Sequence, residues 1–336
     1  MTNPVFIVAS ERSGTNLVRK RLTDAQTTLL GPSPAHFLKH LYFQQPYYGD
    51  LYDDEVFAVF LDQAIKLCTV HFAPWRIDWS AEELLRDFPT ERPRNAVQVM
   101  DYMMTRYAQQ EGFDSYICKD NHLYEFALDI ATEIPNARFI YLYRDPRDFV
   151  LSQLKRPNSI QSPQRFARLW QYEQTRSIKV AEKLESKGLC ISVSYEDFIK
   201  NEAREINRLL GFLGLSENAT RPILSPIEIP VEAVQEWQNL ERATIIQNSG
   251  KFRDGLSNKS ILDIEAICRP QMQYLGYVPG NPSGHRVTRS SEILDTVRGY
   301  GKKIVRRWIS PPKEGKQVVD RRSMIKSKVV NYRNDS

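Results

Sequence analysis

Residues Pro4-Val5-Phe6-Ile7-Val8-Ala9-Ser10 run directly into Glu11-Arg12-Ser13-Gly14-Thr15-Asn16, after which Leu17, Val18, Arg21 and Leu22 return at helical spacing. β-Branched and aromatic residues bounded by a proline read as a fully buried strand, and the 3.6-residue period that follows reads as a helix. The turn between them is small, polar and cationic. Ser13 and Gly14 leave room for backbone N–H groups to face an anion, and Arg12 adds a guanidinium fork suited to oxyanions. A strand that delivers such a turn to a helix N-terminus makes a phosphate-type anion site.

Aligned on Gly14 with the nucleotide-loop pattern G-x-x-x-x-G-K-[ST], the chain has Ala9 for the first glycine, Thr15 for the lysine and Asn16 for the magnesium hydroxyl. The lysine and the hydroxyl are the groups that serve a magnesium triphosphate. Their replacement keeps the cradle and points to a nucleotide with a shorter anionic chain, held without metal. A P-loop kinase or nucleotide hydrolase, and a non-catalytic nucleotide-binding module, remain alternatives at this point.

Downstream, Gly31 to about Pro93 reads as an aromatic, irregular stretch containing Tyr42, Phe43, Tyr47, Tyr48, Trp75 and Trp79. Strands are expected at Tyr116–Lys119, Ala137–Tyr143 and Leu189–Ser194. Helices are expected around Leu123–Ile130, from Pro146 at a first turn to Leu154, over Pro163 to about Ser186, and from a cap at Asp197 through Leu213. Strands alternating with helices predict an α/β fold with a central parallel sheet flanked by helices. Ligands in such folds lie beyond the carboxyl ends of the strands, where Ser10, Lys119, Arg144 and Ser194 would emerge.

The 336 residues suffice for one large domain with an appendage, and the chain holds no run of about 18 apolar residues and no basic leader. The expectation is a cytoplasmic protein, with peripheral membrane contact as a variant. Cys68, Cys118, Cys190 and Cys268 are too scattered to suggest zinc or disulfides, so reduced core thiols are expected and no metal site. Charge is uneven. Residues 286–336 carry 14 Lys/Arg against 5 Asp/Glu, which leaves residues 1–285 at net −4 within a total of +5.

Taken together, three segments resemble the sulfotransferases that use 3′-phosphoadenosine 5′-phosphosulfate (PAPS). The first is Glu11-Arg12-Ser13-Gly14-Thr15, similar to P-[KR]-S-G-T with Glu11 in place of the proline. The second is the strand-end Arg144 with Ser152 eight residues on, and the third is Tyr195-Glu196-Asp197-Phe198, similar to Y-E-D-[LMF]. A looser match is Gly250-Lys251-Phe252-Arg253-Asp254-Gly255-Leu256. The resemblance implies a P-loop nucleotide-hydrolase-like fold with a helical insertion and a basic C-terminal helix. It implies a sulfotransferase domain over 1–285, with 31–115 as the acceptor-side insertion. It further implies PAPS as co-substrate, no metal, and a small-molecule, lipid or carbohydrate hydroxyl as acceptor.

By the same resemblance, Arg12, Ser13, Gly14, Thr15 and Asn16 would hold the 5′-phosphosulfate, Arg144 with Ser152 the 3′-phosphate, Tyr195 the adenine, and Lys251 and Arg253 a closing loop. Arg12 and Lys119 would sit near the bridging oxygen, since Ile117-Cys118-Lys119-Asp120-Asn121-His122 is similar to a segment carrying such a lysine. The base that takes the acceptor's proton stays open between His36, His122, Glu11 and another carboxylate, with a histidine suited to neutral pH. Finally, Ile293 to Trp308 patterns as a basic amphipathic helix, ahead of a polar tail. Docking on the body, contact with an anionic membrane and attraction of a polyanionic acceptor are open for it, while nucleic acid is not expected.

Overall fold

The structure is a computed structural model that describes residues 3–70, 73–156, 159, 161–216, 246–280 and 285–287. In chain order the elements begin with β1 (Val5–Ala9), α1 (Thr15–Asp24) and β2 (Leu29–Leu30). A helical run follows: α2 (Phe37–Gln44), α3 (Asp54–Thr69), α4 (Ala81–Asp87) and α5 (Ala96–Gln110). The sheet resumes with β3 (Ser115–Cys118), α6 (Ala127–Glu133), β4 (Arg138–Tyr143), α7 (Pro146–Leu154), α8 (Pro163–Glu185) and β5 (Cys190–Ser194). After it come α9 (Tyr195–Lys200), α10 (Glu202–Leu213), α11 (Phe252–Gly255) and α12 (Asn258–Tyr274).

Every strand is parallel to its neighbours, in the order β2-β3-β1-β4-β5. β1 is central because all five of its residues are apolar and buried, so it can face helices on both sides. Side chains alternate across it. Val5, Ile7 and Ala9 pack with α1, α9 and α10, while Phe6 and Val8 join the larger core under the helical run. The register Ala9↔Leu142 and Tyr143↔Ser194 brings the ends of β1, β4 and β5 to one edge, as the alternation of strands and helices predicts.

Three sequence expectations are corrected. The stretch 31–93, expected as irregular, carries α2, α3 and α4, in keeping with the helical insertion the resemblance implies, and Tyr48, Trp75 and Trp79 are core residues, with Trp75 stacked on Tyr107 at 4.7 Å. The signal lay in α3, where Phe57, Phe60, Leu61, Ala64, Leu67 and Cys68 recur at spacings of three and four behind the capping side chain of Asp53. Surrounding aromatics and prolines masked it. Second, Ser194 and not Asp197 caps α9, its hydroxyl accepting from the Asp197 N–H. Third, α9 and α10 are separate helices that break at Asn201.

All four cysteines are free and buried. Among the described residues no helix is long and apolar enough to cross a membrane. The amphipathic pattern of 293–308 and the polar tail lie outside the described residues.

A third apolar cluster joins α7, α8 and α12 around Trp170, whose indole N–H donates to the Arg144 carbonyl at 3.1 Å. Trp170 is fully buried. Trp170→Ala is expected to destabilise the fold by about 3–5 kcal/mol through the cavity and the lost bond. Urea unfolding checks this, and an unchanged midpoint would show that α12 is not part of the shared core.

Candidate active site

The turn after β1 is held by contacts from three other strand ends. Gly14, at φ 91, caps α1 without a side chain, so the first N–H groups of the helix are left for an anion. A Cβ at Gly14 would run into the Tyr195 ring, so the glycine is needed both for its backbone angle and for this close approach. Tyr195, the first residue of α9, also carries Arg144, with the guanidinium carbon 4.4 Å from the ring centroid. Arg144 donates to the carbonyls of Arg12 and Asn248, both at 2.9 Å. Asn248 in turn donates to the Tyr195 hydroxyl at 2.6 Å.

Ser152, on α7, accepts from Arg12 Nε at 3.1 Å and does not meet Arg144. Arg12 thus links the turn to α7, while two donors of Arg144 hold backbone carbonyls beside it. Ser13 Oγ, Asn16 Oδ1 and Arg144 Nε are buried and bond to nothing among the described residues. Unpartnered polar atoms in a buried cradle call for a polar guest; the Ser13 hydroxyl and Arg144 Nε–H suit anionic oxygens, and the Asn16 amide oxygen suits a donor.

The segment carrying Lys251 and Arg253 is tied to this cradle. Asp148 on α7 accepts from the Gly250 and Phe252 N–H groups at 2.6 and 2.9 Å. Lys251 Nζ reaches Asn248 Oδ1 at 2.9 Å, whereas Arg253 stacks on Phe252 with its guanidinium carbon 4.8 Å from the ring centroid.

Beyond β3, Lys119 donates to Asn121 at 3.0 Å, Asn121 donates to Glu11 at 2.8 Å, and Glu11 pairs with Arg156 at 3.0 Å. This line spans the mouth of the turn. Burial pulls the Lys119 ammonium down to about 8, against the opposing pull of Glu11 and Asp120. Burial pushes Glu11 upward, but Arg156 and Lys119 outweigh it and leave its carboxyl below the usual range.

His36 and His122 both come to this side of the turn. His36 Nδ1 lies 3.0 Å from Asp120 Oδ1, and Asp120 also accepts from the Asn121 and Leu38 N–H groups at 2.6 and 3.2 Å. Asp120 is buried, which raises its carboxyl, yet His36, Lys119 and the Asn121 N–H together hold it below its ordinary value. An anionic Asp120 favours the proton on Nδ1, beside which the Asn121 N–H also lies at 3.2 Å. Arg19 fixes the loop before His36 from below, donating to the Gly31 carbonyl and, at 2.7 Å, to that of Pro32. Arg12, His36 and His122 are the three non-glycine residues with positive φ among the described residues, at 63, 52 and 64°. Backbone strain of this kind gathers where side chains are held for function.

Sequence reasoning missed Asp120 and Arg19 as supports. Asp120 sits within the segment quoted around Lys119, but its partner lies 84 positions away. Arg19 is a buried cation on a helix face that periodicity alone assigns to the core.

The sequence profile of the sulfotransferase family matches residues 4–219. The chain belongs to that family. Among solved structures, the sulfotransferase domain from the curacin biosynthetic pathway is similar at 16% identity and a TM-score of 0.55, over 83% of this chain and 99% of its own. The sulfotransferase domain from the olefin synthase of Synechococcus PCC 7002 matches at 15% identity and a TM-score of 0.55, over 82% and 96%. A mouse sulfotransferase, SULT7A1, solved with PAP, matches at 11% identity and a TM-score of 0.45, over 81% and 85%. No curated protein matches the chain in sequence. The parallel sheet with its flanking helices is the P-loop-like fold of these sulfotransferases, and the protein is an enzyme of that class.

Because its amine is held near 8, Lys119 is expected to take an amine-directed label at about pH 8 ahead of solvent lysines. Glu11→Gln removes an anion that raises it, so the half-labelling pH should fall further. Peptide mass spectrometry checks both, and labelling indistinguishable from that of surface lysines would refute the electrostatic reading of this line.

Proposed function

We propose that the enzyme transfers a sulfuryl group from PAPS to a hydroxyl group of a carbohydrate, lipid or small-metabolite acceptor. The observation that carries this reading is the anion cradle, with buried Ser13 Oγ and Arg144 Nε unpartnered among the described residues, set beside a histidine whose Nδ1 is engaged by a buried carboxylate. Bound PAPS supplies the sulfuryl group, and adenosine 3′,5′-bisphosphate (PAP) is the remaining nucleotide.

The chain's own residues divide the remaining work. The N–H groups that open α1, with Ser13, Gly14, Thr15 and Asn16, bind the 5′ side, because a helix start and small donors favour negative oxygen. Arg144 and Ser152 serve the 3′-phosphate, with Tyr195 against the adenine and Lys251 and Arg253 over the nucleotide. Arg12 and Lys119 provide positive charge where it builds up on the bridging oxygen. Binding of an anion raises the depressed Lys119, so the amine is cationic when the cradle is filled. His36 Nε2 takes the acceptor's proton, and Asp120 orients the ring and stabilises the imidazolium.

We assign residues 1–285 to the catalytic domain and 31–115 to the acceptor side. Its position supports this: α2 starts at Phe37, so the insertion begins next to the proposed base.

His36→Ala is expected to lose PAP release on pooled phenol, sugar and sterol acceptors by about 100-fold or more at unchanged PAP affinity. Arg144→Ala should weaken PAP by about 2–3 kcal/mol. Release assays and calorimetry read the two separately. Full turnover in His36→Ala would move the base elsewhere, and unaltered PAP affinity in Arg144→Ala would remove Arg144 from the nucleotide site.

A further inference from the structure

A second hydrogen-bonded line reaches the same side of the turn and is not used by the His36–Asp120 pair. His122 Nδ1 lies 2.7 Å from the Tyr124 hydroxyl, which is directed at Glu173 Oε1 at 3.3 Å. Tyr124 and Glu173 are 4% and 3% exposed, while His122 is half-buried. Glu173 projects from α8 beneath the end of β1, where its neighbour Gln174 donates to Ser10 Oγ at 2.7 Å.

Counting protons gives this line two states. A tyrosine hydroxyl has one proton to donate. When Glu173 is ionised, Tyr124 donates to it, His122 Nδ1–H donates to Tyr124, and Nε2 is bare. When Glu173 is protonated, every bond reverses and the ring carries its proton on Nε2.

We propose that Glu173, Tyr124 and His122 form a proton relay in which His122 Nε2 accepts a proton from the acceptor side and Glu173 stores it, the imidazole remaining neutral throughout. The inference rests on the sulfotransferase reading and adds a second proton acceptor to its site. The step balances: one proton binds Nε2, the Nδ1 proton passes to the Tyr124 oxygen, and the Tyr124 proton passes to the Glu173 carboxylate. One negative charge is neutralised.

The surrounding charges favour this distribution. Burial pushes Glu173 up to about 7, Glu11 adds to the rise, and Ser10, Tyr124 and Lys39 oppose it. Burial and Lys39 hold the His122 imidazole below its ordinary value against Glu11, Asp120 and Glu125, so the ring resists becoming a cation. Burial, with Glu173, Glu125 and Tyr172 nearby, pushes Tyr124 far up, so it passes protons without ionising. The contrast with the other dyad is physical. Asp120 is held anionic and keeps its histidine ready to form an imidazolium, whereas Glu173 takes the proton itself.

The test is ¹⁵N NMR of the imidazoles in the full-length chain from about pH 5 to about pH 9, with His122 assigned from a His122→Gln variant. In the parent protein the two His122 nitrogens should exchange pyrrole-like and pyridine-like positions around a midpoint near 7, with no imidazolium signature. Glu173→Gln and Tyr124→Phe should each hold His122 in one tautomer over the whole range. An imidazolium at His122, a single tautomer throughout in the parent, or an exchange that persists in Glu173→Gln would overturn the relay. PAP titration of the same samples separates the two claims: loss of PAP binding by the parent refutes the donor reading, and the tautomers alone decide the relay.

Discussion

The buried guanidinium of Arg144 is the interaction on which the site depends. It leaves the end of β4, bonds the carbonyls of Arg12 and Asn248, and lies on the Tyr195 ring that closes against Gly14. A cation at less than a tenth of its full exposure is costly unless its donors are used. Two of its donor groups are used on backbone carbonyls, and these bonds bring the first, fourth and fifth strand ends and the 248–252 segment to a common point. The anion turn thus keeps its shape through contacts far apart in sequence, which makes it a preorganised receptor and not a flexible loop.

Four of the five strands and the common direction of their ends were legible in the sequence because parallel-sheet strands are continuous apolar runs; the two-residue β2 and the spatial order of the strands were not. The turn at Arg12 to Asn16 was legible for the same reason, since small residues between a buried strand and a helix have few other uses. Pairings were not legible. Arg12 meets Ser152, and His36 meets Asp120, only because the segments after β1 and β3, the loop before α2 and the last turn of α7 are neighbours in space. Periodicity says that Glu173 is on a helix but says nothing of the polar line from Tyr124 that meets it. Within residues 31–93 the resemblance implied helices, but their bounds were not legible, because aromatics and prolines interrupt the apolar period that α3 carries.

Charge placement then separates the roles. Two carboxylates stand behind two histidines on one side of the turn, and both histidines sit in the left-handed backbone region. Asp120 has His36, Lys119 and backbone N–H groups that outweigh its burial, while at Glu173 burial and Glu11 outweigh the hydroxyls of Ser10 and Tyr124 and the charge of Lys39. Environment, not residue type, distinguishes a carboxylate that steadies a cation from one that accepts a proton.

The most direct measurement is isothermal titration of the purified chain with PAP in chelator, beside ATP with magnesium. The account predicts tight, metal-independent binding of the bisphosphate and weak binding of ATP. The reverse preference would mean that the turn from Arg12 to Asn16 receives a magnesium triphosphate, and the PAPS reading of the site would be contradicted.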